Sequence, residues 1–431
     1  MAVVTADYHL NGSTSSGRSS EADGTSTITN AGGGDGDAII PIAGHGDIVL
    51  RIEHETPTVK HVAQFRVSAP ALRQHSKYFE RLLQAGRFGE GLQVDEQHKR
   101  LRERYQSITE APANELPVIS VQDVGRISAV KSIAALCTDF FYILHSKDTQ
   151  TFPPVANLAN LAIVADRFDA LDAVKSYVKR KKMIRAIDGK TTPKADIALS
   201  EEKVRQRVLV AIMLDYAPWT ERYTARMIIK GWVGKEPDLS AALWWDLPQR
   251  VEEELAYRRE CALETVQSLQ TYFLGLYTSR ERQCKLGYDS SPQCDSFQLG
   301  EMVRFFTKVG MLQLQGAVLD TSDPPAPYDG DLHVLLDTLR QVPEYQIDRN
   351  HSHCGIRTRL IPLLDVVQEC LHYIGGICLQ CWQEDREHYA WIDAKRPLIW
   401  TKQNLQAKIQ GHGNRHASLR ALFTATERDW S

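Results

Sequence analysis

The residues best suited to chemistry lie near the C-terminus: His351-Ser-His353-Cys354, then Cys370-Leu-His372, then Cys378-Leu-Gln-Cys381. Thiolate and imidazole match zinc's borderline softness and tetrahedral preference. A C-x-x-C pair preceded by a His/Cys pair has the form of a structural zinc site. The ligand set this predicts is Cys354, Cys378 and Cys381 with either His351 or His353. Two features compete with it. Residues 360–379 are apolar at helical spacing, where Cys370 and Cys378 would pack as small hydrophobes. Cys284 and Cys294 form a second loose pair around a polar stretch and compete as ligands. Beyond this zinc no cofactor is expected. A Cys354–His353 nucleophile is disfavoured, because sequence neighbours rarely point at each other and nothing marks an oxyanion site or orienting acid. The chain carries no phosphate loop, nucleophile elbow or H-E-x-x-H pattern, so it reads as non-enzymatic.

At 431 residues the chain has room for two or three domains. Its 43 % hydrophobic and 24 % charged residues are those of an ordinary soluble globular protein. A net charge of −3 gives no global drive toward polyanions, and no finger, basic zipper or helix-turn-helix signature supports direct nucleic-acid reading. No apolar run is long enough to span a membrane, and residues 1–37 lack the apolar centre of a secretory signal. Eight cysteines are too sparse for a disulfide scaffold, so reduced thiols or metal ligands are expected, in the cytoplasm or nucleus. The run Lys179, Arg180, Lys181, Lys182 complements a helix C-terminus, or serves as a nuclear import patch.

The elements follow from pattern. Residues 1–43 are Gly-, Ser- and Thr-rich, too poor in large side chains to offset their ordering entropy, and read as a disordered leader. Residues 47–52 and 61–67 are β-rich runs joined by a turn at Thr56-Pro57-Thr58. Ser68 is placed to cap a helix beginning near Pro70, and Leu72, Tyr78, Phe79, Leu82 and Leu83 give two short helices an apolar face. Residues 92–113 are charged and read as an exposed excursion with some helix; 116–120 is a further strand. Helices are predicted over 130–145, 155–168 and 171–182, and again over 204–216, 251–277, 302–309, 332–339 and 360–379. Asp323-Pro-Pro-Ala-Pro-Tyr328 reads as a linker or loop.

Several stretches, in this order, resemble the BTB/POZ family: Gly46-Asp-Ile-Val-Leu50, Phe65-Arg-Val-Ser-Ala-Pro-Ala-Leu-Arg-Gln-His-Ser-Lys-Tyr-Phe79 and Gly86-Arg-Phe-Gly-Glu90. Phe141-Tyr-Ile-Leu-His145 and Leu158 onward through Ala165-Asp-Arg-Phe-Asp169 to Val174 are similar to the family's final helices. The match covers about a third of the chain and is closest in style to filamentous-fungal members with a long helical extension. The resemblance implies an α/β BTB/POZ domain over 44–185, followed by a mostly α-helical C-terminal region. That region divides into a helical part over 186–345 and a Cys/His- and Trp-containing part over 346–431.

The resemblance also implies a protein-interaction scaffold that dimerises or recruits protein partners, with Asp47, Phe65, Tyr78 and Phe88 at the partner-binding surface. The aromatic residues are anchors or, alternatively, core. Two further readings are a transcription-associated nuclear regulator and a substrate adaptor of a cullin-based ubiquitin ligase. Ser68-Ala69 stand where many members place a basic pair opposite the strand aspartate, so Asp47 lacks that partner and is free to cap a backbone amide. This departure, with the insertion between Phe88 and Leu116, keeps the better-known binding grooves from being carried over.

Overall fold

The computed structural model describes residues 38–55, 60–84, 88–128, 130, 132–149, 152–284, 291–312, 328–374, 376–402 and 411–431. The expected disorder of 1–37, the turn at Thr56-Pro57-Thr58, the Gly86 helix end and most of the 323–328 linker lie outside them. The chain is mixed α/β, with a small sheet near the N-terminus and a mostly helical remainder. The sheet comprises β1 (Ile39–Pro41), β2 (Ile48–Glu55), β3 (Lys60–Val67) and β4 (Val118–Gln122), in the order β1-β3-β2-β4. β2 and β3 are antiparallel, Ile48 opposite Val67, while β4 runs parallel to β2 and β1 parallel to β3. The leader therefore orders by Ile39, because Ile39 and Ile40 enter the sheet and Ile42 is buried behind them.

One face of the sheet is covered by α1 (Ala69–His75), α2 (Lys77–Leu82), α4 (Ile133–Leu144), α5 (Val155–Arg167) and α6 (Leu171–Arg180). An aromatic cluster fills this layer: Phe65 lies 5.1 Å from Phe141, and Phe168 stacks on Phe79 at 5.3 Å and Phe140 at 5.6 Å. Each buried ring contributes roughly 1.5–3 kcal/mol. Ser68 occupies the N-cap position of α1, but its hydroxyl makes no cap bond. The Asp47 carboxylate accepts the Ala69 amide at 2.7 Å instead.

The stretch expected to be an exposed excursion is α3 (Gly89–Arg102), which buries Val94, His98 and Leu101. Leu101 packs with Val49, Ala111 and Leu116, and a His98 ring nitrogen meets the Asp47 carbonyl at 2.8 Å. Three inward positions among charged residues suffice: Leu101 meets Val49 on the outer side of β2, while Val94 joins the main core.

The remainder is built on α7 (Met183–Lys190), α8 (Pro193–Ile197), α9 (Glu201–Met213), α10 (Ala217–Lys230) and the long α11 (Val251–Thr278). Around α11 lie α12 (Pro292–Lys308), α13 (Leu332–Arg340), α14 (Arg357–Ile374), α15 (Leu379–Glu384), α16 (Arg386–Tyr389) and α17 (His412–Thr424). Strands β5 (Ile399–Thr401) and β6 (Glu427–Asp429) pair in parallel and bring Trp400 and Trp430 together at 5.1 Å between ring centroids. The apolar core runs without interruption from Ile42 to Trp430. At the seam, Arg126 donates to Asp246 at 2.9 Å and to the carbonyls of Asp238 and Ala241.

Glu252 and Glu254 at the start of α11 do more than complement its dipole. Both are buried, Glu252 in a two-pronged pair with Arg205 at 2.9 and 3.0 Å and Glu254 with Arg258 at 2.7 Å. No helix among the described residues is long and apolar enough to cross a membrane.

Candidate metal centres

None of the eight cysteines is in a disulfide, and five of them fall into two Cys/His clusters. The first cluster is Cys284, Cys294, His351 and Cys354, whose ligand atoms all lie within 4.8 Å of one another. Cys284 follows the exit from α11. Cys294 sits in the first turn of α12, where Ser291 Oγ accepts its amide. His351 ends a short 3-10 turn and Cys354 precedes α14. Cys284 Sγ is 3.3 Å from His351 Nδ1, and Cys354 Sγ is 3.9 Å from both Cys284 Sγ and His351 Nδ1. Tetrahedral bonds of about 2.0–2.3 Å to nitrogen and sulfur imply donor separations of roughly 3.3–3.8 Å. The observed spacings fall close to that range.

All four donors are buried, and burial, reinforced by the neighbouring Cys354 and Cys284, pushes the Cys294 thiol strongly upward. Several thiols packed this way disfavour one another's ionisation; a dication reverses that balance. Outer contacts hold the donors in place. Tyr277 donates to the Cys354 carbonyl at 2.5 Å, and Arg359 ties Gln283, next to Cys284, through its side chain and carbonyl. His351 Nε2 faces Asp348 Oδ2 at 3.9 Å, the side from which a carboxylate orients a ligating imidazole.

The second cluster is Cys378, Cys381, His412 and His416, again with ligand atoms within 4.8 Å of one another. The C-x-x-C pair spans the start of α15, and both histidines lie one turn apart on α17. His412 Nε2 is 3.5 Å from Cys378 Sγ and 3.2 Å from Cys381 Sγ. His416 Nε2 is buried with no hydrogen-bond partner, an orphan that a bound cation would satisfy. Burial, with His412 and Arg258 beside it, lowers His416 to about 4, leaving the ring neutral as a ligand must be. Burial and Cys378 raise Cys381 to about 11. The Cys378 amide donates to Tyr389 at 2.7 Å, and Arg258 donates to the Gly376 carbonyl at 3.0 Å, so α11 positions this cluster as it does the first.

The sequence-derived ligand set is therefore split. Cys354 belongs to one cluster and Cys378 with Cys381 to the other. His351, not His353, joins Cys354: the His353 ring is exposed and faces Glu344 at 3.6 Å. Cys284 and Cys294, read as competitors, complete the first centre. His412 and His416 were not singled out, although an H-x-x-x-H step places both rings on one helical face. Cys370 packs in the core, and burial raises its thiol to about 12.

The four partner-surface residues separate in the same way. Phe65 is fully buried, which withdraws it as a contact, and Asp47 spends a carboxylate oxygen on Ala69. Tyr78 is partly buried against Phe168 beneath the Arg167 guanidinium. Phe88 is exposed by 46 % and leads one turn later to Leu92, exposed by 56 %. Lys179, Arg180, Lys181 and Lys182 are all exposed, with Lys181 paired to Asp148 at 2.7 Å.

No protein-family model, curated protein or solved structure matches this chain.

Proposed function

We propose that the chain is a non-enzymatic protein-interaction scaffold: a BTB/POZ-like module carried on a helical body that is stapled by two structural zinc ions. The observation that carries this reading is the closure of both clusters. Each offers four nitrogen and sulfur donors from separate segments, the donor set of a structural site, and leaves no coordination position for a substrate. Zinc would supply folding energy there, cross-linking the α11 exit to α12 and α14, and α15 to α17.

Strands β2 and β3, the short helices α1 and α2, strand β4 and helices α4, α5 and α6 follow in the order the BTB/POZ reading expects, with β1 before them and α3 inserted ahead of β4. Phe88 and Leu92 supply adjacent exposed apolar side chains of the kind that anchor a protein partner, with a second copy of the chain as the first candidate. Metal analysis of the purified full chain combined with light scattering over a concentration series tests both halves. Zinc near two per chain and a dimer lost in the Phe88→Ala/Leu92→Ala variant are the expected results. Well under one zinc removes the staples. A monomer at every concentration, with no neighbour enriched by proximity labelling, removes the scaffold.

A further inference from the structure

The two centres differ in how solvent reaches them. In the first, Cys294 and Cys354 are at most 1 % exposed and Cys284 and His351 are also buried. Its donors come from the α11 exit, the α12 start, a 3-10 turn and the α14 entry, so parting them means separating three packed helices. In the second, His412 is exposed, and Cys381 and His416 are partly exposed. Cys378, His412 and His416 also line an open groove of about 780 Å³, whose opposite wall includes Glu221, Arg222 and Arg226 of α10.

The attachment of α17 is equally uneven. Its buried anchors, Leu419, Leu422 and Phe423, lie toward its C-terminal end, where Phe423 stacks on Trp391 at 5.4 Å. Residues 411–415, at the end that carries the ligands, are exposed. Local opening of one helix turn needs far less free energy than global unfolding.

Resting on the zinc reading, we infer that the centres have different exchange behaviour. The Cys378/Cys381/His412/His416 centre trades its ion with solution through the groove, whereas the Cys284/Cys294/His351/Cys354 centre keeps its ion until the helical body unfolds. Occupancy of the second centre then sets the position of the first turn of α17 and, with it, one wall of the groove. The centre becomes a sensor of available thiophilic divalent cation on a scaffold that stays folded throughout.

The test uses the full chain loaded with zinc, an excess of EDTA at neutral pH, and a colorimetric zinc indicator read against time. One zinc per chain should leave in a fast phase and the second more slowly by roughly tenfold or more, in step with loss of helical circular dichroism. His412→Ala should bind one zinc and lack the fast phase, while the slow phase keeps the parent's rate. Release of both ions in a single phase, or a fast phase that survives in His412→Ala, overturns the inference while leaving two zinc sites in place. A loaded chain that holds less than one zinc overturns the zinc reading itself, so the two failures are distinguishable.

Discussion

Glu254 and Arg258 form an ion pair one turn apart on α11, 2.7 Å between Oε1 and Nε, with both side chains at most 1 % exposed. The same carboxylate accepts the amides of Trp391 at 2.9 Å and Ile392 at 3.1 Å. The same guanidinium reaches the Gly376 carbonyl and lies over the rings of Tyr389 and Trp391. One helical turn thus holds the chain on both sides of the C-x-x-C segment.

Removing one member leaves the other charged, buried and unpaired. Arg258→Ala and Glu254→Ala should each destabilise the protein by about 3–5 kcal/mol in chemical denaturation. The cost is expected to be sub-additive in the double variant, since the second deletion removes the uncompensated charge left by the first. Fully additive losses would show that the two residues act independently.

His351 and His353 are neighbours with opposite fates, and that makes a sharp comparison. His351→Ala removes a donor that lies 3.3 Å from Cys284 Sγ, so bound zinc should fall by one per chain and stability by several kcal/mol. His353→Ala touches an exposed ring and should change neither quantity beyond about 0.5 kcal/mol. Elemental analysis and urea denaturation read both. Equal effects in the two variants would break the proposed donor set.

His145 predicts an acid limb of stability. Its Nε2 accepts the Ser68 amide at 2.9 Å and its Nδ1–H donates to the Phe141 carbonyl at 2.8 Å, which fixes the neutral tautomer. Burial, helped by Lys147 and His75 and opposed by the Phe141 carbonyl, holds the ring below its ordinary value of 6.5. The unfolded chain therefore binds the proton more readily than the folded one. The contribution is present in full above pH 6.5 and is lost as pH falls through the lowered folded value. His145→Gln should flatten stability against pH in that window, and nitrogen NMR should find Nδ1 protonated at neutral pH. A charged ring at pH 7 would contradict the Ser68 contact.

The parts of this arrangement that sequence makes legible are local ones. The alternation in β2 and β3 and the i, i+3, i+4 apolar steps of α4, α5 and α11 depend only on near neighbours. α3 escapes because its stripe includes His98, a polar residue that becomes core only by meeting the Asp47 carbonyl 51 positions away. The metal centres are legible as residue types but not as sets. Cys284 and Cys354 meet across 70 positions, a juxtaposition decided by how α11, α12 and α14 pack. Glu254 and Arg258 are a local pair four residues apart on one helix, whereas Glu252 suggests only a helix start and its partner Arg205, 47 positions away, emerges only in three dimensions.

Gly376 gives the most direct probe of how α10 supports the second centre. A Cβ built there falls on the backbone carbonyl group of Glu221, with the Glu221 carbonyl carbon at 2.7 Å. The obstacle is backbone, which cannot rotate aside as a long side chain can. Directly after it, the Ile377 amide donates to Thr224 Oγ1 at 2.8 Å, so the segment is pinned to α10 on both counts. Gly376→Ala must push α10 and the C-x-x-C segment apart, straining the Ile377–Thr224 bond and the Arg258 contact to the Gly376 carbonyl. A loss of about 1–3 kcal/mol in stability is expected, with weaker zinc binding at Cys378 and Cys381 and unchanged binding at the first centre. Isothermal titration of zinc into the metal-free variant measures this. Parent-like binding at both centres together with parent-like stability would mean that the α10 backbone does not constrain the site.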